Sequence, residues 1–130
     1  MSRVLLASQP GMGHVNPLLA IAERLPTLGL EPIFVAWGPP AVRRHIESRG
    51  FLCEALRPPL SALGLALLPW FSGPLETAVA AELFTAQPLA YAQRFAQVIE
   101  RVRPRAVVAD FACPGLALAA ERAGLPWLSI

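Results

Sequence analysis

The chain contains no lysine, and all eleven of its basic residues are arginine. That reads as a composition bias of the genome, not as a binding device. Without lysine there is no G-K-[ST] element, which excludes the phosphate-binding P-loop. The formal charge is only +2 and the arginines form no long basic run. A nucleic-acid partner is therefore not expected. Cysteine is scarce. Cys53 and Cys113 lie far apart in no metal-spaced motif, so the expectation is two buried, reduced thiols and no metal. Aspartate is nearly missing, since eight of the nine acids are glutamate and the other is Asp110. Charge is absent from Pro58 to Leu75. Yet Pro58, Pro59, Pro69, Pro74, Gly64 and Gly73 interrupt that stretch, and a membrane span needs about 20 mostly unbroken apolar residues. An apolar loop with a short helix is expected there, and no integral span. The N-terminus enters an apolar run at once, without the basic region and cleavage site of a secretory signal. The expected compartment is the cytoplasm, with association at a membrane surface left open.

What is present is apolar. Hydrophobic residues make up 55% of 130 positions and charged ones 15%, which fits one domain whose sheet is covered on both faces. Strands are predicted at Arg3–Ser8, Pro32–Trp37, Phe51–Leu56, Arg105–Asp110 and Pro126–Ile130. Helices are predicted from an N-cap at Asn16 with Pro17 in the first turn, over Ala41–Arg49, over Leu75–Ala86 and Pro88–Arg103 with a break at Pro88, and over Pro114–Arg122. In the helix after Pro88, residues Leu89, Ala92, Ala96, Ile99 and Val102 share one face. Strands alternating with helices imply a parallel α/β sheet with right-handed crossovers. A doubly wound sheet in the order 3-2-1-4-5 is the expectation. The sequence reaches Ile130 on an apolar strand, and we expect further polypeptide to complete the sheet.

The segment "SQPGMGHVNP" follows the first strand. Gly11 and Gly13 match two positions of the dinucleotide fingerprint G-x-G-x-x-G, but Asn16 stands at the third and no acid ends the second strand. The glycines alone imply only a tight turn with something close to it. His14 carries more. It lies at the carboxyl end of strand 1, and Asp110 ends strand 4, its neighbour across the switch point where such sheets bind ligands. A carboxylate beside an imidazole fixes the ring tautomer and stabilises the imidazolium formed on proton abstraction. Histidine, with an unperturbed pKa of about 6.5, suits that task near neutrality. The competing readings are a polar cap or phosphate donor for His14 and a helix cap for Asp110. His45, in "RRHIES", reads as part of a solvated helix face. A nucleophilic Cys113 lacks a basic cluster beside it.

The stretch "VLLASQPGMGHVNPLLAIAERLPTLGLEPIFVA" resembles the N-terminal strand-loop-helix-strand of GT-B glycosyltransferases. The likeness is to the family 1 enzymes, which use nucleotide sugars and include UDP-glucuronosyltransferases and natural-product glycosyltransferases. The stretch "RPRAVVADFACPGLALAAERAGLPWLSI" resembles their strand-Asp-helix-strand. The pattern G-x-G-H-x-x-P falls on Gly11, Gly13, His14 and Pro17. Arg105, where an acid is common, and the early Pro26, which should shorten the first helix, are departures. The resemblance implies that residues 1–130 form a Rossmann-like acceptor-binding domain, with the donor-binding domain lying elsewhere. It also implies inverting transfer from a nucleotide sugar such as a UDP-sugar, without a metal. His14 would be the base, Asp110 its orienter, and Gly11, Met12 and Gly13 the loop near the reacting groups. Trp70, Phe71, Phe84 and Phe111 would line the pocket of a lipophilic or aromatic hydroxyl acceptor. Alone, such a domain would not turn over. The alternatives are a non-catalytic acceptor-binding or membrane-docking subunit of a split enzyme, and an unrelated nucleotide-binding α/β domain.

Overall fold

The computed structural model describes residues 1–57 and 73–130, and for 75–87 the backbone alone. Its strands are β1 (Ser2–Ala7), β2 (Leu30–Ala36), β3 (Leu52–Ala55), β4 (Ala106–Ala109) and β5 (Trp127–Ser129). Its helices are α1 (Met12–Ala22), α2 (Pro40–Ser48), α3 (Pro74–Val102) and α4 (Pro114–Arg122), with one 3₁₀ turn at Leu25–Leu28. The five strands form one parallel sheet in the order β3-β2-β1-β4-β5. That is the expected arrangement.

Side-chain alternation along the strands divides the core in two. Leu5, Ala7, Ile33, Val35, Val107 and Ala109 face α3 and α4, meeting Phe95, Val98, Val102 and Leu116. Val4, Leu6, Phe34, Ala36 and Val108 face α1 and α2, meeting Val15, Leu18, Leu19, Val42 and Ile46. Both faces of β1 are dry, which is why it reads as an unbroken apolar run. Fully burying each of these Leu, Val, Ile or Phe side chains is worth about 1.5–3 kcal/mol, so the two layers hold the sheet from both sides. By contrast Trp127, Leu128 and Ser129 of β5 are exposed, and β5 pairs only with β4 among the described residues.

Three local expectations are corrected. First, α1 is capped by Gly11 and not by Asn16, so Pro17 lies inside it. The Gly11 carbonyl accepts from the N–H groups of both His14 and Val15, which starts the helix one turn early. The Asn16 side chain is engaged elsewhere, by His45 on α2 at 3.1 Å. Second, α3 runs through Pro88 without a break. A proline inside a helix forfeits a hydrogen bond and costs about 3 kcal/mol, and the packing of α3 on α4 and the sheet outweighs it. Third, the buried face of α3 holds Ala92, Phe95, Val98, Ile99 and Val102, whereas Leu89 is exposed. α1 ends at Ala22, ahead of Pro26, which lies in the 3₁₀ turn.

Two close approaches fix the layers around the carboxyl ends of the strands. Gly38 follows β2 with φ of +83°, and a Cβ there would lie 2.9 Å from Pro10 Cβ. Gly115 in α4 sits against α3, where a Cβ would fall 2.8 Å from Tyr91 Cβ and 3.1 Å from the Pro88 carbonyl oxygen. Neither site has room for a side chain.

Candidate active site

β1 ends at Ala7, and a four-residue loop leads into α1, placing His14 in the first helical turn. β4 ends at Ala109, beside Ala7 in the ladder. The Asp110 N–H extends that ladder by one bond, donating to the Ala7 carbonyl at 3.0 Å. The parallel register therefore carries both residues to the same end of adjacent strands. There the Nδ1 of His14 lies 2.8 Å from Oδ2 of Asp110.

The environment of the pair is asymmetric. Asp110 is 5% exposed, and a buried carboxylate is costly unless donors meet it. Its Oδ2 receives two, the His14 ring and the backbone N–H of Gln9 at 3.3 Å. The His14 side chain is 39% exposed. Because a carboxylate oxygen accepts, the Nδ1 of a neutral His14 must carry the hydrogen, which leaves the Nε2 lone pair at the opposite edge of the ring. The arrangement can remove a proton at Nε2 and stabilise the resulting cation from behind. The helix-cap reading of Asp110 does not describe what its carboxylate does. The N-cap of α4 is Cys113, and both donors to the Asp110 side chain belong to the segment between β1 and Val15.

An open groove of about 620 Å³ adjoins the pair, lined by Gln9, Pro10, Gly11, His14, Phe111, Ala112 and Pro114. A second recess of about 240 Å³ reaches His14 and Asp110 past Gly13, Pro17, Phe111 and Ile130. Phe111 is 72% exposed, and its ring centroid lies 5.9 Å from that of His14. The Phe111 backbone N–H donates to the Ile130 carbonyl at 2.8 Å. Of the residues singled out in the sequence, His14, Asp110, Gly11, Gly13 and Phe111 are thus brought together. Met12 is exposed at the start of α1 and lines neither recess. Trp70 and Phe71 lie outside the described residues, as does the side chain of Phe84.

The tight turn expected here closes at Gly11, whose N–H donates to the Gln9 carbonyl at 2.8 Å, without needing a glycine-only backbone. Neither Gly11 nor Gly13 has positive φ. A Cβ on Gly11 would make ordinary contact with His14 at 3.6 Å, and one on Gly13 would meet nothing within 4 Å. Their smallness leaves the mouth of the recess bare beside His14.

Among the described residues, no group of three or more His, Cys, Asp or Glu side chains could hold a metal ion. Burial pushes the Cys113 thiol up to about 12 and the half-buried Cys53 thiol up to about 11. Neither is a thiolate near neutrality, so a cysteine nucleophile has no support here. No helix of the described residues is long and apolar enough to cross a membrane.

Sequence reasoning missed Gln9. It directly follows Ser8 in the loop leaving β1, and its side-chain amide donates to the Ala112 carbonyl at 2.7 Å. The signal available was position alone, a long polar side chain at the switch point beside an Asp-bearing loop.

No protein-family model matches the chain, and no curated protein matches it. Solved structures do match. The glycosyltransferase SnogD from Streptomyces nogalater is 22% identical, with a TM-score of 0.75 over 100% of this chain and 34% of that one. SsfS6, a glycosyltransferase of Streptomyces sp. SF2575, is 19% identical, with a TM-score of 0.76 over 99% of this chain and 39% of that one. CalG4, the calicheamicin glycosyltransferase, is 18% identical, with a TM-score of 0.75 over 99% and 32%. SsfS6 was also solved in complex with thymidine diphosphate. The fold of this chain is that of one part of the GT-B glycosyltransferases. The chain spans about a third of the length of the solved structures it matches.

Proposed function

We propose that this chain is the acceptor-binding, N-terminal part of an inverting glycosyltransferase. His14 is its general base and Asp110 orients that base. The observation that carries the reading is the 2.8 Å contact between His14 Nδ1 and Asp110 Oδ2, at the switch point of a glycosyltransferase fold. In the proposed reaction the acceptor hydroxyl gives its proton to His14 Nε2. The hydroxyl oxygen bonds to the anomeric carbon of a nucleotide sugar from the face opposite the leaving group. The bond from that carbon to the diphosphate oxygen breaks, and its electron pair leaves with the nucleoside diphosphate. Configuration at the anomeric carbon inverts. Asp110 stabilises the imidazolium until the proton departs.

The donor is a nucleoside-diphosphate hexose, held mainly by a domain outside these residues. The complex of SsfS6 with thymidine diphosphate makes TDP-sugars the first donors to try. The apolar lining of the groove by Pro10, Phe111, Ala112 and Pro114 supports a lipophilic or aromatic hydroxyl acceptor.

The test is a transfer assay on the chain together with its donor-binding domain, using TDP- and UDP-hexoses and a panel of alcohols and phenols. General-base catalysis is commonly worth about 10²–10⁴-fold, and His14→Ala should cost that much with an alcohol acceptor while donor affinity stays nearly intact. Acidic phenols, which ionise readily, should be less affected. Near-full transfer to an alcohol by His14→Ala would remove the base assignment. Failure of every donor would remove the transferase reading itself.

A further inference from the structure

We propose that Gln9 is a positioning residue that holds the His14 ring and the Asp110 carboxylate at their working distance. The catalytic consequence rests on the reading of His14 as the base, but the structural claim does not.

The two members of the pair leave different strands. The ladder between β1 and β4 ends with the Asp110 N–H to the Ala7 carbonyl. Beyond that bond the loop after β1 and the loop after β4 must be held by side chains. Among the described residues, the polar contacts that cross between them are the His14–Asp110 contact and two hydrogen bonds from Gln9. The Gln9 backbone N–H reaches Asp110 Oδ2 at 3.3 Å, the same oxygen that receives His14. Its side-chain Nε2 donates to the Ala112 carbonyl at 2.7 Å. The Gln9 residue is itself fixed, because its carbonyl accepts from Ser8 Oγ at 2.9 Å and from the Gly11 N–H at 2.8 Å. One residue thus ties the start of α1 to the turn that carries Asp110 and Phe111.

Residue chemistry explains why glutamine suits this place. Any residue but proline could supply the backbone bond. The second bond needs a neutral donor about as long as glutamine. Asparagine is one methylene shorter, glutamate at neutral pH does not donate, and a lysine or arginine would put a positive charge beside His14 and oppose the imidazolium. A neutral amide braces the loops without altering the charge balance of the base.

The experiment uses ¹⁵N-labelled chain and reads the tautomer of the neutral ring by NMR. The sequence has two histidines, so His45 serves as an internal control. A free imidazole favours hydrogen on Nε2, whereas the Asp110 contact requires it on Nδ1. In the wild type the His14 shifts should report the Nδ1–H form. In Gln9→Met, which keeps length and loses the donor, they should drift toward the Nε2–H form while those of His45 stay fixed. If Gln9→Met does not fold, Gln9→Asn loses reach and is read the same way. In the transfer assay, Gln9→Met should lower kcat by about 10- to 100-fold, the scale of a small misplacement, with the donor KM unchanged. In a His14→Ala background the same change should add less than about twofold, because residues acting as a unit are not additive. An unchanged His14 tautomer and kcat in folded Gln9→Met would overturn the proposal, and so would a full multiplicative loss in the His14→Ala background. If His14→Ala leaves transfer intact while Gln9→Met still mixes the tautomers, the base assignment fails and the brace stands.

Discussion

The two histidines of this chain are both half-buried and each meet a polar side chain from a distant element, but the two pairs differ in the charge, burial and place of the partner. His14 offers Nδ1 to a buried carboxylate at 2.8 Å. His45 meets the exposed Asn16 through Nε2 at 3.1 Å. The first pair sits at the carboxyl ends of two central strands. The second links the outer sides of α1 and α2. A neutral amide can orient a ring but stabilises a cation on it far less than a carboxylate does, and a solvated position competes with water for the contact. A histidine with a partner is therefore uninformative by itself. The charge and burial of the partner, and the place where its strand ends, separate a candidate base from a surface contact.

The comparison breaks most visibly at Asp110. Asp110→Asn keeps the shape and removes the charge. Transfer should fall by about 10²–10⁴-fold, similar to loss of the base. The fold should lose no more than about 1–3 kcal/mol, the usual range for one altered buried hydrogen-bond partner. Rate and melting temperature measured on the same preparation separate the two effects, and full activity in Asp110→Asn would leave His14 as a phosphate donor. Smaller in effect is Gly38→Ala. It places a Cβ 2.9 Å from Pro10 at positive φ, which should cost about 1–3 kcal/mol and disturb transfer through the Pro10 loop. Melting curves would expose the error if the variant matched the wild type. The smallest effect sharpens the contrast. Asn16→Asp gives His45 a carboxylate partner in place of an amide. Stability should change by no more than about 0.5 kcal/mol, and transfer should neither rise nor recover in a His14→Ala background. Any recovery would mean that a carboxylate partner alone makes a base, whatever its location.

The same contrast shows what could be read from the residues. The alternation of apolar runs and helical patterns implied a parallel sheet, and the expected order 3-2-1-4-5 placed His14 and Asp110 at the same end of adjacent strands. What the sequence hid was local. The Asn16-Pro17 pair carries a strong helix-start signal, yet the backbone of Gly11 starts α1 earlier and Asn16 pairs with His45. Pro88 carries a strong helix-stop signal, and the packing of α3 overrides it. Gln9 gave no signal beyond its position, because a brace is defined by what it reaches, and the Ala112 carbonyl is a backbone atom that no side-chain pattern marks.

The contact between Gln9 and Ala112 spans 103 residues of sequence, and this separation has a consequence in time. A ribosome adds about 5–20 residues per second, so on the order of ten seconds pass between synthesis of the glutamine and of its partner. Throughout that interval the β1–α1 segment can be complete while the crevice beside it does not yet exist. Non-local pairing of this kind is also among the slower steps in folding, because the loop-closure entropy is lost before the contacts compensate it. The crevice should therefore be one of the last features to form. A chain arrested between α1 and β4 would keep its histidine and have nothing to orient it.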